Sequence, residues 1–135
     1  MAFLTYRFII IHMGNTRISK NFTLVIKYAS EKIQIKKKHD FKKVYTQGKT
    51  IVGRLVVIYY KRSDHTKIGF SVSKKVGNAV VRNKVKRILR EICRNNIELF
   101  SSDYNFIFIA RPKIKGFSYQ QVEKEIIGKL RKVES

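Results

Sequence analysis

The sequence predicts a single α+β domain in which helices pack against one β-sheet. The chain has 135 residues, 44% of them hydrophobic, which is enough for one core but not comfortably for two domains. Segments with a helical period alternate with runs of β-branched and aromatic residues, the pattern of helices packed on a sheet. No internal repeat, low-complexity tract or proline- and glycine-rich linker divides the chain.

The first element is a short helix. Residues 39–47 place Phe41, Val44 and Tyr45 on one face, and Gly48 follows as a stop. The apolar face of this helix is therefore expected to lie on the sheet.

Strands come next. Residues 49–62 form a β-branched and aromatic run that Gly53 interrupts. The polar residues 61–66 predict a hairpin loop after this run. A further half-buried strand is indicated by apolar residues that alternate with small ones. These residues are Ile68, Phe70 and Val72.

The last third of the chain predicts a strand and a helix. Residues 104–110 are continuously apolar, which is typical of a strand in the middle of a sheet. Ser118, with Gln121 three residues later, is a capping-box pattern that begins the final helix. The buried stripe of that helix is predicted to be Val122, Ile126, Leu130 and Val133.

Residues 78–96 predict a strongly amphipathic helix, with Asn78 as its N-cap. One narrow arc is apolar and must lie on the sheet: Val81, Val85, Ile88, Leu89 and Ile92. The opposite arc is polar, since positions i, i+4 and i+8 share a face. It contains Arg82, Lys86 and Arg90, extended by Asn83, Arg87 and Arg94.

Most runs of charge are simply solvated faces, but three features favour a binding face here. Surface helices usually intersperse acids with bases, whereas Glu91 is the one acid in this helix. Arg82 lies near the N-terminus, where the helix dipole disfavours a cation. Arginine also suits bidentate phosphate contacts. A phosphate-rich partner would offset these unfavourable interactions.

The overall charge supports the same interpretation. Thirty Lys and Arg against nine Asp and Glu leave a formal net charge of +21, and residues 32–96 hold 19 of the 30 cations. Repulsion among so many positive charges destabilises a compact state, so a polyanionic partner is expected. A membrane-surface binder and a merely charged soluble domain are the alternatives that charge alone leaves open.

Three segments resemble the bacterial ribonuclease P protein family. Residues 71–90, SVSKKVGNAVVRNKVKRILR, match its signature with the RNR segment, residues 39–45 match its first helix, and residues 104–112 match its later strand. The resemblance covers residues 36–133. It implies an α-β-β-β-α-β-α sandwich similar to the second domain of ribosomal protein S5. It also implies a left-handed βαβ crossover, against the usual right-handed preference.

The resemblance implies a division of labour within a ribonucleoprotein. Catalysis would belong to the RNA subunit and its Mg²⁺ ions, while the protein binds that RNA and the 5′ leader of precursor tRNA. No other protein partner is implied. The positions that match contacts with the catalytic RNA are Lys74, Lys75, Arg82, Asn83, Lys86, Arg87 and Arg90. Those that match the leader-binding cleft are Phe41, Lys42, Lys43, Tyr45 and Tyr59.

The residues argue against catalysis by the protein alone. The acids are scattered without helical or strand register, so no carboxylate cluster for metal ions is expected. The three histidines show no ligand spacing, and the single cysteine, Cys93, excludes a disulfide and a multi-thiolate zinc site. A structural RNA-binding protein of ribosomal type remains an alternative, and a DNA-binding protein is a third.

Residues 32–135 are expected to form the folded domain, preceded by an N-terminal extension over residues 1–31. The apolar run at residues 8–11 is far shorter than the ~20 residues of a membrane span. A poorly ordered extension and an upstream start codon, with Met13 as a later start, are both open. The absence of a disulfide framework fits a cytoplasmic protein.

Overall fold

A four-stranded sheet separates the helices into two layers. The computed structural model of the protein describes residues 34–35, 38–64, 66–100 and 103–133. Its main elements are α1 (Lys38–Gln47), β1 (Lys49–Val52), β2 (Val56–Arg62), β3 (Lys67–Ser71), α2 (Ala79–Asn95), β4 (Tyr104–Ala110) and α3 (Tyr119–Leu130). Short 3-10 helices occupy Ile97–Leu99 and Pro112–Ile114. The predicted order of elements is confirmed. The predicted extension, residues 1–31, lies outside the described residues.

The strands lie in the order β1-β2-β4-β3. β2 pairs with β1 and with β4 in antiparallel fashion, whereas β3 and β4 are parallel neighbours joined through α2. The predicted hairpin between β2 and β3 is wrong, because β4 lies between these two strands. β2 also runs on to Arg62, two residues into the predicted loop. The left-handed sense of the crossover remains an implication of the family resemblance.

Alternation along the strands divides the core between the two faces of the sheet. One face carries Phe106 and Phe108 and is covered by the buried stripes of α2 and α3. The other face carries Ile107, which packs with Val44 of α1. Because both of its faces are covered at β4, residues Phe106, Ile107 and Phe108 are at most 1% exposed, as predicted for a central strand.

The chain just before α1 extends the sheet at the β3 edge. Gln34 forms a parallel bridge with Ile68, and the Ile35 amide donates to the Ile68 carbonyl at 2.9 Å. The Ile35 side chain is 2% exposed, in the cluster under α1. This contact helps to protect an edge that would otherwise be open to pairing.

The caps form as predicted. The Asn78 side chain accepts from the Val81 amide at 3.0 Å at the start of α2. Ser118 and Gln121 form a full capping box at the start of α3. Among the described helices, even the 17-residue α2 lacks the length and apolarity of a membrane span.

Candidate nucleic-acid interface

The apolar side of α2 anchors the helix on the sheet. Val85, Leu89 and Ile92 are buried in the main core. Val81 and Ile88 are partly buried and pack against the same cluster. The predicted stripe is therefore confirmed, and the cationic side of the helix must face away from the sheet.

The outward side of α2 and the turn before it form what we call the α2 basic surface: Lys74, Lys75, Arg82, Asn83, Lys86, Arg87 and Arg90. Lys74, Lys75, Asn83, Arg87 and Arg90 are exposed, and Arg82 and Lys86 are half-buried. In the part of the chain that the structure describes, no ion pair involves any of these cations. Their charge is therefore not neutralised from within that part of the protein.

Arg82 differs from its neighbours because part of its guanidinium is buried. Its Nε atom is inaccessible and has no hydrogen-bond partner among the described residues. An unsatisfied buried donor costs about 1–3 kcal/mol, and such groups in folded proteins call for an explanation. Because the Nε atom is inaccessible, a ligand could satisfy this donor only if the Arg82 side chain changed its rotamer.

The aromatic residues predicted for the cleft do come together on the opposite face of the sheet. The Tyr45 and Tyr59 rings meet edge to face with centroids 5.1 Å apart, and Phe41 lies 6.3 Å from Tyr45. All three are half-buried around the cluster under α1. Burial raises the pKa of the Tyr45 phenol, a hydrogen bond with Ser71 opposes the shift, and the nearby Tyr59 adds to it. Tyr45 is thus a neutral group at the edge of the cleft.

Sequence reasoning missed the floor of this cleft. Val52, Val57 and Ile109 are cross-strand neighbours on the face that carries Tyr59. Val57 and Ile109 are half-buried, and Val52 is 63% exposed, so α1 covers this face only in part. The available signal was the alternation in β2 and β4, which leaves apolar residues on both faces of the sheet.

The cations predicted for the cleft belong to α1. Lys42 and Lys43 are both exposed on that helix, next in sequence to Phe41. Single-stranded nucleic acid is held by this combination of basic groups and aromatic platforms. The α2 basic surface and the cleft lie on different faces of the sheet, so the predicted residues form two separate groups rather than one.

The described residues contain no group of three His, Cys, Asp or Glu side chains that could hold a metal ion. Cys93 is buried in the main core, and burial raises the pKa of its thiol. The Cys93 side chain therefore packs as a small apolar group beside the buried stripe of α2.

A cationic helix surface without ion pairs among the described residues, together with an aromatic cleft on a small α+β domain, defines an RNA-binding protein. Comparison with known proteins gives the family. The family model described as Ribonuclease P matches residues 29–134, and the chain belongs to the ribonuclease P protein family.

Relatives and solved structures agree with this assignment. The ribonuclease P protein component of Alkaliphilus metalliredigens is 38% identical over 102 residues, which cover 74% of this chain and 92% of the relative. The Staphylococcus aureus ribonuclease P protein structure is 34% identical, with a TM-score of 0.69 over 76% of this chain and 95% of that one. The Thermotoga maritima protein has 25% identity, a TM-score of 0.69 and coverage of 76% and 98%.

The family determines the class of activity. The protein is a subunit of a ribonucleoprotein endoribonuclease of tRNA maturation, and it associates with the ribonuclease P RNA. The family assignment takes precedence over the ribosomal-type and DNA-binding alternatives.

Proposed function

We propose that the α2 basic surface binds the catalytic RNA and that the cleft beneath α1 holds the 5′ leader of precursor tRNA. The protein would thereby assist the Mg²⁺-dependent removal of that leader. The cations of the α2 basic surface, which form no ion pair within the described residues, are the observation that carries this proposal.

The electrostatics of α2 support an RNA partner. Cations that neutralise phosphates release condensed counterions, and this release provides a large part of the binding free energy. Here the helix positions its cations in advance, because its apolar side is fixed in the core. Arg87 and Arg90 are exposed for bidentate contacts with phosphate oxygens.

The cleft suits a strand that varies in sequence. Leaders share no required sequence in this proposal, so recognition depends on the backbone and on the π-faces of the bases. Each base stacked on an aromatic ring contributes about 1–3 kcal/mol. Tyr45 and Tyr59 offer partly exposed rings, and Lys42 and Lys43 offer charge for the phosphates.

Catalysis would reside in the RNA subunit and its Mg²⁺ ions, with no metal ligand supplied by the protein. The proposal assigns the RNA-binding domain to residues 32–135 and leaves residues 1–31 as an extension. It places the protein in the cytoplasm, where precursor tRNA is processed, and requires no other protein partner.

Reconstitution tests the function directly. The full chain is mixed at low Mg²⁺ with a bacterial ribonuclease P RNA and precursor tRNA, and leader release is followed in time. We expect cleavage to be strongly stimulated over the RNA alone and absent with the protein alone. Lack of stimulation, with RNA binding retained, would leave an RNA-binding protein without the proposed role in cleavage.

A further inference from the structure

A groove remains that neither the α2 basic surface nor the cleft includes. It lies between the β1–β2 turn and α3 and has a volume of about 550 Å³. Its lining contains four cationic residues, one acid and one aromatic ring. The cationic residues are Arg54, Lys124, Lys129 and Lys132.

The one acid in the groove, Glu125, is already engaged by the protein. One of its carboxylate oxygens accepts from the Arg54 amide at 2.6 Å, and the other accepts from the Leu55 and Val56 amides at 2.9 and 3.0 Å. These bonds fix α3 to the β1–β2 turn. They also hold the carboxylate against the backbone of the turn, where three N–H groups stabilise its negative charge.

Three of the groove cations, Arg54, Lys124 and Lys129, have no carboxylate partner among the described residues. The Arg54 guanidinium lies 5.4 Å from the centroid of the Phe117 ring. This cation–π contact leaves the guanidinium charged and holds it at the wall of the groove.

The floor near α3 is accessible to a ligand. Gly128 is exposed, and a Cβ atom built there would meet nothing within 4 Å. An open groove with positive walls fits a chain of phosphates better than a compact acid, because its cations are spread along the turn and the helix.

We propose that this groove is a third RNA-binding site, which takes a phosphodiester backbone segment through Arg54, Lys124 and Lys129. The site is independent of the residues proposed above to bind the catalytic RNA and the leader. Its RNA comes either from the ribonuclease P RNA or from precursor tRNA, and the experiment separates these two sources.

Tethered cleavage tests the site in the assembled complex. The variant Gly128→Cys carries an iron chelate that cuts nearby RNA, and Cys93 is buried and does not compete for the label. A second protein, Lys84→Cys, carries the same label on the exposed side of α2. Each labelled protein is assembled with ribonuclease P RNA, with and without precursor tRNA.

We expect cuts from position 128 at RNA positions different from those cut from position 84. Cuts in the ribonuclease P RNA identify the catalytic subunit as the partner, and cuts confined to added precursor tRNA identify the substrate. Cuts from position 84 alone would overturn the groove site and leave the α2 basic surface intact. Cuts from position 128 alone would contradict the proposed role of α2 but not that of the groove.

Charge removal gives a second readout. The affinity of the protein for the RNA cut from position 128 is measured over a range of salt concentrations. In the double variant Lys124→Ala/Lys129→Ala, the slope of the log association constant against log salt should become less steep by about one for each phosphate that the protein no longer neutralises. The matched control, Lys49→Ala/Lys67→Ala, removes two exposed lysines at the end of the sheet away from the β1–β2 turn. Equal slopes for the two double variants would contradict a specific site in the groove.

Discussion

The ring of Phe41 lies directly over Gly69 of β3. A Cβ atom built on Gly69 would lie 2.8 Å from the Cζ atom of Phe41, closer than real Cβ atoms approach their neighbours. Gly69 pairs with Ile107 on the face that α1 covers. The missing side chain therefore lets α1 approach the sheet and sets the position of one aromatic residue of the cleft.

The first prediction concerns this contact. Gly69→Ala should lower the free energy of unfolding by about 1–3 kcal/mol, because overpacking forces the ring or the helix to move. Urea denaturation measures the change. In a Phe41→Leu background, the smaller and more flexible side chain should accept the added methyl group at lower cost. The same loss of stability in both backgrounds would show that the ring does not cause it.

A second prediction concerns the carboxylate that joins α3 to the β1–β2 turn. Glu125→Gln keeps the size of the side chain but replaces one acceptor oxygen with a donor. At least one of the three backbone amides is then left without a partner, at an expected cost of about 1–3 kcal/mol. Thermal or urea denaturation gives the value.

The matched control for that measurement is Glu91→Gln. Glu91 is an exposed helical glutamate, so this variant removes the same charge without removing the hydrogen bonds to the turn. It should change the free energy of unfolding by less than about 0.5 kcal/mol, as surface substitutions usually do. Similar destabilisation in the two variants would indicate an effect of net charge rather than of the turn.

A third prediction separates the two RNA sites. Tyr59→Leu retains apolar packing but removes the π-face, so it should weaken binding of precursor tRNA more than that of mature tRNA. Removal of one stacked base corresponds to about 1–3 kcal/mol. The affinities of the reconstituted complex for precursor and for mature tRNA are measured, and their ratio tests the prediction.

Tyr104→Leu is the control for the leader prediction, since Tyr104 is also half-buried but packs on the opposite face of the sheet. It should leave the ratio of precursor to mature affinity unchanged. A ratio unaffected by Tyr59→Leu would contradict a leader-binding role for the cleft.

The helices were predictable because their signals are local. Each cap, Asn78 for α2 and Ser118 for α3, directly precedes the helix that it begins. The apolar residues of each stripe are likewise only one to four positions apart in the sequence. The cationic side of α2 was predictable for the same reason, once its apolar side had been identified.

Features that depend on distant residues were not predictable in this way. β2 and β3 are nearly consecutive, yet β4 lies between them, and local periodicity cannot determine such an insertion. Glu125 and Leu55 are 70 residues apart, so neither signals the other in the sequence. The pairing of Ile35 with the β3 edge and the groove beside Phe117 depend on tertiary contacts as well.

The central claim is that α2 presents its cations to the catalytic RNA. Affinity of the full chain for ribonuclease P RNA, measured over a range of salt concentrations, tests it most directly. Arg87→Ala/Arg90→Ala should weaken binding and reduce the salt slope by about two, one for each phosphate that these arginines neutralise. Lys49→Ala/Lys67→Ala, which removes the same charge elsewhere, should have a much smaller effect. Equal affinities and slopes for the two double variants would contradict the claim.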